Sequence, residues 1–258
     1  MSKKVCLITG GAGFLGKKYC EFFLKKKYIV ICVDNNKKKL KSIKTIKSIH
    51  IKNLKIYYCD ISIEKKVKKL FQLISKSYFV DVIINNAAID AIPFKKKKTI
   101  EKFPTSKMWD NEINVSLKGS FFIIKYFGEE MEKRKKGSII NIGSDLSIVA
   151  PNQKIYKSSY ENYIKPVTYS VIKHGILGLT KYFASLYAKS NVRVNMISPG
   201  SIKNNQSEKL LEELNQVIPM ERLAEPKEIL GSLLFLASSQ SSYITGQNIL
   251  IDGGRTTI

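Results

Sequence analysis

The chain has 258 residues, 44% of them apolar, with 12 Phe and 13 Tyr, which is enough to pack the core of one large α/β domain and excludes wholesale disorder. Lys and Arg number 44 against 21 Asp and Glu, a formal charge of +23, yet only four of the basic residues are Arg (134, 193, 222, 255). Base reading leans on the bidentate fork of Arg, and the Lys clusters at 25–27, 37–39, 65–69, 95–98 and 133–136 mostly fall on polar faces or ends of helices, so no dedicated nucleic-acid role is expected, only an attraction for anionic ligands such as nucleotides.

In chain order, apolar strand-like runs lie at Val5–Thr9, Ile29–Asp34, Leu54–Cys59, Asp81–Asn85, Ser138–Ile142, Val192–Ile197 and Asn248–Ile251. Helical patterns lie between them at 14–27, 36–48, 62–77, 108–133, 169–189, 206–217 and 226–238. Short, continuous runs rich in Val and Ile are what parallel strands buried on both faces require. The alternation predicts one Rossmann-type, doubly wound parallel sheet of seven strands spanning residues 1–258 as a single domain, with ligand chemistry at the carboxyl ends of the strands. Two long connections, Ile89–Lys107 and Ile148–Thr168, leave that edge and are read as functional.

No apolar run approaches the roughly 18 residues of a membrane span, and Met1-Ser2-Lys3-Lys4 leads straight into a strand, not into the apolar core of a leader. Cys6, Cys20, Cys32 and Cys59 form no C-x-x-C pair. Free thiols in apolar runs behave as small buried hydrophobes, so no metal site and no disulfide are expected, and a reducing cytoplasm fits.

The first strand ends in Thr9-Gly10-Gly11-Ala12-Gly13-Phe14-Leu15-Gly16. Gly10, Gly13 and Gly16 allow a tight turn, close approach to a pyrophosphate and close helix–strand packing, and the helix that follows points its amides at the phosphates. Asp34, at the end of the second strand, is placed to accept both ribose hydroxyls and to repel a 2′-phosphate; the alternative is a turn Asp acting as N-cap. NAD is therefore the expected cofactor, with NADP not excluded because Lys37 is near. Asp60 and Ile61 end the third strand at the height of an adenine, where Asp60 could equally cap the next helix.

Tyr169 and Lys173 are four apart on a predicted helix and so share a face. An ammonium there lowers the phenol's proton affinity, so that Tyr169 can exchange a proton with a substrate oxygen near neutral pH. Of thirteen tyrosines, only Tyr169 has Lys four positions on, but a chain this rich in Lys makes the pair alone uninformative. Its company decides: Asn85-Asn86-Ala87-Ala88, Asn114, Asn141-Ile142-Gly143-Ser144, Ser198-Pro199-Gly200 and Ile249-Leu250-Ile251-Asp252-Gly253-Gly254.

With these motifs in this order, the chain resembles the short-chain dehydrogenase/reductase family over essentially its whole length. The resemblance implies an NAD(P)-dependent oxidoreductase. Tyr169 would be the acid/base and Lys173 would hold the nicotinamide ribose. Ser144 would bond the substrate oxygen, and Asn114 would hold a relay water. Asn86 and Ala87 would line the adenosine, and Pro199, Gly200 and Ile202 would pass near the nicotinamide. The segment Val149-Ala150-Pro151 … Tyr156 … Lys165-Pro166-Val167-Thr168-Tyr169 is similar to oxidoreductases of flagellin-modification and legionaminic-type acid pathways, which implies an amino-sugar, sugar-phosphate or nucleotide-sugar substrate. A 3-oxoacyl thioester reductase, which would need NADPH, a sugar-nucleotide epimerase and a catalytically idle nucleotide sensor are the rival readings. Family resemblance and the apolar faces of helices 108–133 and 169–189 imply a homotetramer or homodimer. The insertion Ile148–Thr168, with Ile155, Tyr156, Tyr160, Tyr163 and Ile164, is expected to form a wall of the substrate pocket.

Overall fold

Val5 and Leu7 of the first strand bury against one set of helices, while Cys6 and Ile8 bury against another; alternation along a strand that is covered on both sides produces this. The computed structural model describes residues 3–46, 48–89, 103–159 and 163–258. Lys95–Lys98 and Tyr160, singled out above, lie outside them. Seven strands, β1 (Val5–Thr9), β2 (Ile29–Asp34), β3 (Leu54–Tyr58), β4 (Val82–Asn85), β5 (Gly137–Ile142), β6 (Val192–Pro199) and β7 (Asn248–Ile251), form one sheet in the order β3-β2-β1-β4-β5-β6-β7. Every neighbouring pair is parallel. The winding reverses between β1 and β4, which opens a crevice at their carboxyl ends.

One face carries α1 (Phe14–Lys25), α2 (Lys37–Ile43) and α10 (Leu230–Ala237), through Tyr19, Phe23, Ile43 and Leu233. The other carries α3 (Glu64–Ile74), the helical run 106–133 and α8 (Val167–Tyr187), through Val67, Ile123, Phe127 and Phe183. The run 106–133 is not a plain α-helix. Its α segments α4 (Ser106–Ile113), α5 (Gly119–Ile123) and α6 (Glu129–Lys133) alternate with π-helical stretches Asn114–Lys118 and Ile124–Gly128. It starts two residues earlier than its periodicity predicts because Thr105 caps it, accepting the Met108 N–H at 3.3 Å.

The insertion after β5 contains a helix, α7 (Gln153–Ser159), which its sequence did not announce. Ile155 explains it: this side chain is buried with Leu210 and Leu214 of α9 (Glu208–Asn215) and with Ile218 and Leu223. Tertiary packing thus supplies the stability that so short a helix lacks on its own. All four cysteines are free and buried, and burial pushes the Cys59 thiol up to about 11. No helix among the described residues is long and apolar enough to cross a membrane.

Candidate active site

The turn after β1 is closed by Gly13 N–H donating to Gly10 O at 3.0 Å. Gly10 has φ +60°, and a Cβ there would lie 2.8 Å from Ala87 Cα. A Cβ at Gly16 would come within 2.1 Å of Gly10 O, so the helix could not pack this close to the turn. Helix α1 has no side-chain cap and no acidic residue in its first turn, which leaves its N-terminal amides for an anion. Asn86 ties the loops together: its Nδ2 donates to Thr9 O at 3.0 Å and to Gly10 O at 3.2 Å.

Asp34 is half-buried at the end of β2. Its Oδ2 accepts Ala12 N–H at 3.1 Å and its Oδ1 accepts Asn36 N–H at 2.9 Å. Each carboxylate oxygen keeps a lone pair for a ribose hydroxyl. The cap of α2 is Asn36, which accepts Lys39 N–H at 3.0 Å. The ammonium of Lys37 sits 5.1 Å over the Tyr58 ring, and it is Lys39 that lines the cavity. Asp60 does not cap the next helix, because α3 starts at Glu64 with Ile63 as its N-cap and no side-chain cap; it closes the preceding turn by accepting Ser62 N–H and Oγ–H at 3.1 and 2.7 Å, and it lines the cavity. An uncapped helix terminus beside a carboxylate with lone pairs to spare fits a nicotinamide dinucleotide, whose pyrophosphate would lie at α1 and whose adenosine ribose would lie at Asp34.

Ser144 follows β5 and is 5% exposed. Lys173 is equally buried; its Nζ donates to Ile142 O at 3.1 Å and lies 5.5 Å from the Tyr169 ring centroid. Both Tyr169 and Lys173 ride on the first turns of α8. Besides the Lys173 bond, two buried bonds hold that helix: Asn141 Nδ2 donates to Thr180 Oγ1 at 2.9 Å, and the Thr168 hydroxyl donates to the Glu112 carboxylate. Lys165, from the insertion, brings a second ammonium 3.9 Å from the Tyr169 ring centroid.

These groups line one cavity of about 780 Å³. Of the site residues predicted from sequence, Gly10, Gly13, Phe14, Leu15, Asp34, Asp60, Ile61, Asn86, Ala87, Ser144, Tyr169, Lys173, Pro199, Gly200 and Ile202 all line it. Gly16 and Asn114 do not. Gly16 serves packing. Asn114 is half-buried where the first π stretch begins, and the helix presents Asn111 and Val115, four apart on one face, to the cavity instead. Sequence reasoning missed Lys39, Asn111, Asp145 and Arg255. The available signals were the position of Asp145 next to Ser144 and the rarity of Arg in so Lys-rich a chain. From the insertion, Tyr156, Tyr163 and Lys165 line the cavity.

The crevice at a sheet reversal places the molecule among the dinucleotide-binding α/β enzymes. A family model described as enoyl-(acyl carrier protein) reductase matches residues 12–256. The chain is 35% identical over 260 residues to the 3-oxoacyl-[acyl-carrier-protein] reductase FabG of Thermotoga maritima, covering 97% of each chain. It is 30% identical over 262 residues to the NAD-dependent glycerol dehydrogenase of Listeria innocua, covering 99% of this chain and 95% of the relative. A short chain dehydrogenase from Leptospira borgpetersenii, solved with bound NAD+, matches with a TM-score of 0.85 at 31% identity, covering 99% of this chain and 94% of that one. The chain belongs to the short-chain dehydrogenase/reductase family and is an NAD(P)-dependent oxidoreductase acting on CH–OH groups.

Proposed function

We propose that the chain is an NAD(H)-preferring enzyme that interconverts a secondary alcohol and a ketone on a sugar derivative. The candidate substrates are an amino-sugar, a sugar-phosphate or a nucleotide-sugar of surface-glycan biosynthesis. The observation that carries this reading is the continuity of one cavity from the glycine turn and Asp34 to Ser144, Tyr169 and Lys173. Bound NAD(H) supplies or accepts the hydride. Ser144 holds the substrate oxygen, and Tyr169 gives it or takes from it a proton, helped by the neighbouring ammonium of Lys173. Asp34 supports NAD over NADP, because a carboxylate welcomes a ribose diol and repels a 2′-phosphate. Tyr156 and Tyr163, with ring centroids 6.0 Å apart, support a sugar, since a ring face meets C–H groups and a phenol meets hydroxyls.

The similarity to the Thermotoga reductase supports a second reading, a 3-oxoacyl thioester reductase; Asp34 argues against the NADPH it would use. One assay separates the two. Consumption of NADH and of NADPH is followed with keto-sugar nucleotides, keto-sugar phosphates and a 3-oxoacyl thioester. Turnover of the sugars with NADH is expected, and exclusive turnover of the thioester with NADPH would replace the first reading by the second. The exposed Val171, Tyr182 and Leu186 on α8 support a homodimer or homotetramer, and light scattering at micromolar concentration that finds only monomer would refute it.

A further inference from the structure

Asp145 and Arg255 have no part in the roles given so far, yet they form a buried ion pair at the floor of the cavity, with side chains 4% and 7% exposed. Burying such a pair gains little stability over apolar residues of the same size. Its placement is more telling. Asp145 Oδ2 accepts from Arg255, while Oδ1 accepts the Ser144 hydroxyl at 2.7 Å and Leu146 N–H at 2.9 Å. Ser144 Oγ itself receives Leu146 N–H at 3.2 Å.

Arg255 comes from the tail 110 residues away in sequence, and the tail is fixed. Asp252 accepts Gly254 N–H at 3.1 Å, Thr256 N–H at 2.9 Å and the Thr256 hydroxyl at 2.7 Å. Among the described residues, Asp145 is the one hydrogen-bonding partner of the Arg255 guanidinium.

We propose that Arg255 and Asp145 are positioning residues for Ser144: the tail's guanidinium holds the carboxylate, and the carboxylate holds the serine hydroxyl ready for the substrate oxygen. This rests on the reading that Ser144 meets that oxygen. The serine oxygen has one proton and two lone pairs. The proton goes to Asp145 and one lone pair takes Leu146 N–H, so the other is left to accept from an alcohol. Rotation about Cβ–Oγ moves the same proton from Asp145 to a ketone oxygen. An unneutralised buried carboxylate would grip that proton strongly, and Arg255 weakens the grip by taking a share of the charge. The hydroxyl therefore serves both directions of the reaction without any change in its place.

The test uses Asp145→Ala/Arg255→Met, which removes the pair, and Asp145→Asn/Arg255→Met, which keeps a neutral acceptor for Ser144. Each is made with Ser144 present and in a Ser144→Ala background. NADH-dependent reduction of 2,3-butanedione is the probe, and NADH affinity from fluorescence is the control. Removing the pair should lower kcat by about tenfold to a hundredfold with Ser144 present, with NADH affinity kept and no further loss in Ser144→Ala. The Asn variant should recover most of the rate. A crystal structure of the pair deletion should show the Ser144 hydroxyl displaced from Leu146 N–H. Arg255→Lys, which keeps the charge but not the planar guanidinium, serves if the pair deletion does not fold, and it should give a smaller loss that again depends on Ser144. An equal loss in both backgrounds, or an unmoved Ser144 hydroxyl, overturns the proposal. If Ser144→Ala alone leaves the rate unchanged, the reading that Ser144 meets the substrate oxygen falls, and the crystallographic position of Ser144 still decides this one.

Discussion

The two ends of the cavity are built in different ways. The cofactor end comes from the loops after β1, β2, β3 and β4, and much of what it offers is backbone: the amides at α1, a glycine turn, and Asp34 and Asn86 stitched to main-chain groups. The end we assign to the substrate is lined by side chains far apart in sequence: Asn111, Ser144, Tyr156, Tyr163, Tyr169, Leu210 and Arg255. The difference teaches where specificity can vary. A dinucleotide is a fixed ligand and can be bound by geometry that any sequence with the right glycines adopts. A substrate is recognised by side chains on connecting segments, which change without disturbing the sheet.

That contrast predicts which measurement each substitution moves. The largest effect belongs to the point where the ends meet. Tyr169→Phe should cost on the order of a thousandfold in kcat by removing the proton donor, while fluorescence titration finds NADH binding intact. Activity near wild type would place the acid–base chemistry elsewhere. At the cofactor end, Asp34→Asn should weaken NADH binding by about tenfold to a hundredfold, the worth of a charged hydrogen bond, and narrow the preference over NADPH in calorimetry. Tighter binding of NADPH by the wild type would move the weight to Lys39.

At the substrate end, Tyr156→Ala or Tyr163→Ala should raise KM for the sugar substrate by about tenfold, consistent with the loss of one aromatic contact. NADH affinity should stay unchanged, and a change in that affinity would show that the two ends are not separable.

The smallest effect should come from Glu228, which lines neither end. Arg222 binds its carboxylate through two bonds of 2.8 Å and, as the largest cause, holds it down from 4.5 to about 2. A depressed folded-state value gives stability that is present above the unfolded value and lost as pH falls toward about 2. This group is on the surface, so Glu228→Gln should lower Tm slightly at neutral pH, and the difference from wild type should vanish in strong acid. Its kinetics should match those of the wild type, and any change in kcat would link this surface to the cavity.

Much of the cofactor end is legible in the chain because its determinants are local. A glycine turn adjoins a helix start, a strand-end Asp closes the very next strand, and each has a backbone reason for its type. The polar residues of the substrate end are harder to read, since an Asn or a Tyr between elements has many unrelated uses.

The sequence by itself determined the alternation of strand and helix, the parallel sheet and the strand-end positions of Gly10, Asp34, Asn86 and Ser144. Strands buried on both faces demand continuous Val and Ile, and only certain residues make the turns. Tertiary structure alone decided that Lys39 and not Lys37 lines the cavity, and that Asn111 and Val115 line it while Asn114 does not. It also decided that Ile155 pins α7 to α9, and that Arg255 reaches Asp145 across 110 residues. The phase of a helix on its neighbours and the meeting of distant segments are set by how whole elements pack. Local propensity carries no record of either.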